Sequence, residues 1–170
     1  PISGVVTNRN AQVGQRIMNQ YEELAKEVGE NLTTDRFYFL GSGGRYGLAC
    51  EVNLKMKEMT LTHSEPFHFM EFRHGPMSMA GETAVVVGLL SEKNYDYEQA
   101  VLNEMQAKGA RVLALSESHG DVLYTSGIPE EVRGVLYLPV LQLMAFYRSL
   151  AKGLNPDSPK NLTAVVTLNL

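Results

Sequence analysis

The stretch Arg36–Met59, RFYFLGSGGRYGLACEVNLKMKEM, decides the fold. The largely apolar run Arg36–Leu40 reads as a strand, and it enters a glycine-rich turn, Gly41–Gly47. The turn opens a long helix in which Leu48, Val52, Met56 and Met59 form one apolar stripe, with Ala49 beside it. Glu51, Lys55 and Glu58, spaced four and three apart, lie together along a second face of that helix.

Both flanks repeat this pattern. Upstream, residues 1–10 (PISGVVTNRN) read as an arm or linker, and the repeat Val13, Ile17, Tyr21, Leu24, Val28 predicts an amphipathic helix from Ala11 to about Glu30. Downstream, a short strand is expected near Leu61–His63 and a single helical turn around Phe69–Phe72. Ala84–Leu90 and Arg111–Leu115 read as buried strands, with a helix over Tyr95–Lys108 between them that Gly109 stops. Ser116–Gly127 reads as a loop and Val135–Leu138 as a short strand. Pro139 opens a last helix to about Lys152. Residues 155–170 read as an extended tail, leaving 11–154 as the domain proper.

Short apolar strands alternating with amphipathic helices imply an α/β fold, a three-layer, doubly wound parallel sheet covered by helices on both faces. Such a sheet binds ligands at the carboxyl ends of its strands. That edge carries Gly41–Tyr46, Leu90–Asn94 and Ser116–Gly120.

Bulk properties narrow the function classes. The 170 residues suit one domain able to bury roughly two-thirds of its unfolded surface. A net charge of −4 provides no electrostatic pull toward nucleic acid or an anionic membrane, so neither is expected as a partner. No apolar run approaches the roughly 20 residues that span a bilayer. The single Cys50 excludes an internal disulfide and a cysteine-based zinc site, and a cytoplasmic setting follows as an expectation. The chain opens on Pro1 with no signal peptide in view, which suggests processing or excision from something longer.

Three groups of residues carry the candidate chemistry. The turn Gly41-Ser42-Gly43-Gly44-Arg45-Tyr46 fails the dinucleotide fingerprint, because Tyr46 stands where a small residue is needed. It remains either an anion cradle, with Ser42 and the Gly43 backbone as donors, or a tight turn that binds nothing. The Glu51–Lys55–Glu58 face is either a solvated ion-pair strip or an acid–base pair able to move a proton between neighbouring carbons of a sugar. His74, in Glu71-Phe72-Arg73-His74-Gly75-Pro76, is either a structural hydrogen-bonding group or a proton donor to a ring oxygen. His63, His68, Glu71 and His74 are close in sequence, but their spacing matches no zinc pattern, so no metal and no cofactor are expected.

Taken together, FLGSGGRYGLACEVNLKMKE, SEPFHFMEFRHGP and KGLNPDSPKNLTAVVTL resemble, in order and spacing, the sugar isomerase (SIS) domain family, most closely its second-half domain. The resemblance covers nearly the whole chain and implies the flavodoxin-like sandwich already expected. It implies a sugar phosphate as ligand and conversion of a hexose or hexosamine 6-phosphate by proton transfer between C1 and C2. Glu58 would be the proton shuttle, Lys55 would lie beside the sugar, and His74 would open the ring, reaching the site from a neighbouring subunit of a homodimer. Two departures stand out. Ala164 occupies the position of the family's imine-forming lysine, and the S-x-S-G-x-T phosphate loop is absent, with Leu90-Ser91-Glu92-Lys93-Asn94 at the equivalent strand end. An upstream SIS domain is therefore expected to supply the phosphate grip. The alternative is a non-catalytic phosphosugar-binding, sensory or dimerisation module.

Overall fold

The computed structural model describes residues 4–162 (for Val5 and Val6, the backbone alone). Five strands, β1 (Arg36–Gly41), β2 (His63–Phe67), β3 (Ala84–Leu89), β4 (Arg111–Ser116) and β5 (Val122–Leu123), form one parallel sheet in the order β2-β1-β3-β4-β5. Register follows the apolar runs, with Phe39 opposite Val87 and Val87 opposite Leu113. β3 is buried at every position, which is why it reads as a continuous apolar run and not as an alternation.

Helices cover both faces. On one face, α1 (Gly4–Glu30), α2 (Gly44–Thr60) and α5 (Leu138–Ala151) pack over Phe37, Phe39, Val85, Val87 and Leu113. On the other, α3 (Phe69–Phe72) and α4 (Tyr95–Ala107) cover Tyr38, Leu40, Val86 and Ala114. Alternate residues of each strand thus feed two separate cores, and the three-layer expectation holds. Chain direction around the sheet switches between β1 and β3, so their carboxyl ends open a crevice.

Several boundaries differ from expectation. α1 begins at Gly4, so most of the expected arm is helix. β2 starts two residues late, at His63, because Leu61 ends α2 in a left-handed conformation (φ 49°). The expected strand Val135–Leu138 is a 3-10 turn, Gly134–Tyr137, leading directly into α5. β5 lies inside the expected loop and, at two residues, is too short to carry a period. Residues 156–161 form turns in place of an extended run.

The segment Gly134–Ala151 is long and apolar enough, by length and composition, to cross a membrane, contrary to the sequence reading. Its burial accounts for that composition. Val140, Leu141, Met144 and Ala145 pack into the core, and Arg148 near its end is buried too.

Candidate functional site

The glycine turn places Ser42 and Gly43 at the mouth of the crevice between β1 and β3. Gly43 caps α2 with φ 58° and ψ −131°, a conformation that only glycine adopts cheaply. The backbone then turns tightly, with the Arg45 N–H on Ser42 O (3.2 Å) and the Tyr46 N–H on Gly43 O (3.1 Å). Ser42 and Gly43 line a cleft of about 720 Å³ together with Arg45, Lys93, Glu130 and Tyr137.

Arg45 is the hub of this cleft, and no motif pointed to it. Its Nε donates to Leu89 O at 3.0 Å, one Nη contacts the buried Glu98 at 3.2 Å, and the other pairs with Glu130. Those same carboxylates accept backbone N–H groups of the loop after β3. Glu98 takes the Ser91 N–H at 2.6 Å, and Glu130 takes the Glu92 N–H at 3.3 Å. The protein's own carboxylates therefore occupy two amides that a bound anion could have used. The only sequence hint was an acidic residue, Glu98, on the apolar side of a helix.

The second group lies on α2 itself. Ala49, Val52, Met56 and Thr60 face the core. That turns Glu51, Lys55 and Glu58 toward partly open surface. Lys55 Nζ stands 3.2 Å from Glu58 Oε2 and 3.8 Å from Glu51 Oε1, with the Glu58 side chain 31% exposed. The three residues form the continuous face that their spacing required. A carboxylate hydrogen-bonded to an ammonium at a surface has the elements for proton transfer next to a developing oxyanion.

His74 lies in another layer. It sits in the exposed turn after α3, its N–H bonded to Glu71 O at 3.0 Å. The turn is pinned to α4 by a two-point ion pair from Arg73 to Glu104, at 3.0 and 2.6 Å. α2 covers one face of the sheet and α3 the other, so within one chain Glu58 and His74 are not brought together. Ala164 lies outside the described residues.

The other histidines are engaged locally. His63 lies 3.8 Å from Glu65, and His68 stacks on Tyr46 with ring centroids 4.1 Å apart. Hydrogen bonding to Cys50 pushes the Tyr46 phenol above its usual pKa. Among the described residues no three His, Cys, Asp or Glu side chains converge on a metal position.

The SIS domain family matches residues 33–150. A glutamine–fructose-6-phosphate aminotransferase of Sulfurisphaera tokodaii is 35% identical over 154 residues, 89% of this chain. The chain spans only 26% of that relative's length. Among solved structures, glucosamine-6-phosphate deaminase from Thermotoga maritima superposes with a TM-score of 0.75 at 27% identity, over 88% of this chain and 46% of that one. Tagatose-6-phosphate ketose/aldose isomerase from Escherichia coli gives a TM-score of 0.73 at 25% identity, over 88% and 45%. The match over residues 33–150, most of the chain, makes this chain a member of the SIS domain family.

Proposed function

We propose that this chain is the acid–base half of a phosphosugar site within a larger protein, acting on a hexose 6-phosphate or hexosamine 6-phosphate. Glu58 takes the proton from one of the adjacent carbons C1 and C2 and returns it to the other through an enediol or enolamine. The Lys55 ammonium lies beside the oxygen on which negative charge develops. His74 of a neighbouring subunit donates a proton to the ring oxygen and so opens the ring. Such proton transfers call on no cofactor. An upstream SIS domain grips the phosphate, since this chain's own loop after β3 has two amides bonded to Glu98 and Glu130.

The observation that carries this reading is the partly exposed pair Lys55–Glu58, 3.2 Å apart, on the helix that follows the glycine turn. Relatives named for ketose–aldose isomerisation and for deamination of sugar phosphates support it. In the full-length protein, Glu58→Gln is expected to lower kcat by roughly 10²–10⁴-fold with little change in KM. Undiminished turnover in that variant overturns the assignment.

A second reading, a phosphosugar-binding module without turnover, is favoured by Ala164 at the position of the family's imine-forming lysine. Sugar-phosphate binding to the full-length protein with no product after long incubation would establish it over the first.

A further inference from the structure

We propose that a second cleft, between the β3–α4 loop (residues 91–97) and the β4–β5 loop (residues 116–119), binds an unphosphorylated hexose. It is a pocket of about 300 Å³ at the carboxyl ends of β3 and β4, at the small end of ligand sites and suited to one sugar ring. It does not include the Glu51–Lys55–Glu58 face.

Phosphate is disfavoured here for a specific reason. Three backbone donors of the β3–α4 loop are taken. Ser91 N–H is bonded to Glu98, Glu92 N–H to Glu130, and Asn94 N–H to Ser91 Oγ at 2.9 Å. The buried Arg133 guanidinium faces two carboxylates that line the cleft. Arg133, 2% exposed, donates to Ile128 O at 2.8 Å, while its Nε and second Nη make no hydrogen bond among the described residues and stand 3.6 Å from Glu117 and 3.3 Å from Glu92. The cleft is lined by the carboxylates of Glu92, Asp96 and Glu117 against the single cation Lys93, so an added anion meets an excess of negative charge.

What remains suits hydroxyl groups and C–H faces. Tyr95 and His119 set their rings 5.2 Å apart at a 48° tilt, and Tyr97 stands 73% exposed at the rim. Aromatic faces of this kind pack against the apolar side of a pyranose. Lys93 and Asp96, which have no ion-pair partner among the described residues, place one donor and one acceptor of opposite charge on the same rim. They suit a neutral ligand with hydroxyls more than either ion.

The β4–β5 side is built in advance. The buried Ser116 hydroxyl donates to His119 O and accepts the N–H groups of Ser118 (3.2 Å) and His119 (2.9 Å). Ser118 Oγ lies 2.8 Å from His119 Nδ1 and holds the imidazole beside Tyr95. Little ordering cost is left for binding.

Hydrogen–deuterium exchange of the full-length protein, with D-glucose, D-fructose and inorganic phosphate as separate probes, tests this. Either hexose at millimolar concentration is expected to protect residues 91–97 and 116–119. Phosphate is expected to leave them unchanged. Tyr97→Ala, on an exposed side chain that folding does not need, should weaken the protection roughly tenfold. Glu58→Gln should leave it intact, which separates this site from the proposed catalytic face. No protection by either hexose, equal protection by phosphate, or protection indifferent to Tyr97→Ala would each overturn the proposal.

Discussion

Tyr124 and Tyr137 are fully buried, with rings edge to face at 4.9 Å, yet they differ at their hydroxyls. Tyr137 donates to Leu90 O at 2.5 Å, whereas the Tyr124 hydroxyl has no hydrogen-bond partner among the described residues. Tyr137→Phe is therefore expected to cost about 1 kcal/mol, and Tyr124→Phe to be neutral or mildly stabilising, as read by urea denaturation. Burial pushes both phenols above the usual tyrosine value. Since the folded chain then holds these protons longer than the unfolded one, stability is retained below about pH 10 and falls as pH rises beyond it. Either Phe variant should flatten that alkaline loss. Gly41 is a second single-residue constraint. A Cβ there would collide with the Arg45 carbonyl and come within 3.0 Å of Tyr46 N, both rigid backbone groups. Gly41→Ala is expected to destabilise by about 1–3 kcal/mol, because the start of α2 would have to move.

At the scale of elements, one side chain joins the beginning of the sheet to two helices. Arg148, near the end of α5, donates to Thr62 Oγ1 (2.7 Å), Asn31 O (3.1 Å) and Thr34 O (2.6 Å), and its guanidinium stacks 4.9 Å above the Phe37 ring. Arg148→Leu would leave the buried acceptors around Thr34 and Thr62 unpaired and is expected to cost about 2–4 kcal/mol in urea denaturation. Arg148→Lys should recover only part, since an ammonium lacks the planar fork. Nothing local in the sequence marked this role, because its partners come from residues 31–62. By contrast β1, α2, α3, β3, α4 and β4 were all legible, as each carries its own period, apolar run or stop signal. Where the expectation failed, the cause was local ambiguity. Val135–Leu138 is apolar enough for a strand, but the helix opened by Pro139 draws the preceding turn into a 3-10 lead-in.

At the scale of the molecule, the helix-borne Glu58 and the turn-borne His74 lie in layers separated by the sheet. If one site needs both, the second must come from another subunit, and mixing inactive variants tests it. Full-length Glu58→Gln and His74→Ala proteins, unfolded together and refolded as random dimers, are expected to regain about a quarter of wild-type activity, since half the dimers would hold one intact site. No recovery would place both residues in one chain's site. By itself the sequence determined the alternation of strands and helices and the face shared by Glu51, Lys55 and Glu58. These depend on short continuous apolar runs and on a helical period of 3.6 residues, which neighbouring residues set. Only the tertiary structure decided which carboxylates fill the amides after β3, what Arg45 and Arg148 hold, and that His74 lies across the sheet from Glu58. Each of these joins residues far apart in the chain, and only the packed layers specify such contacts.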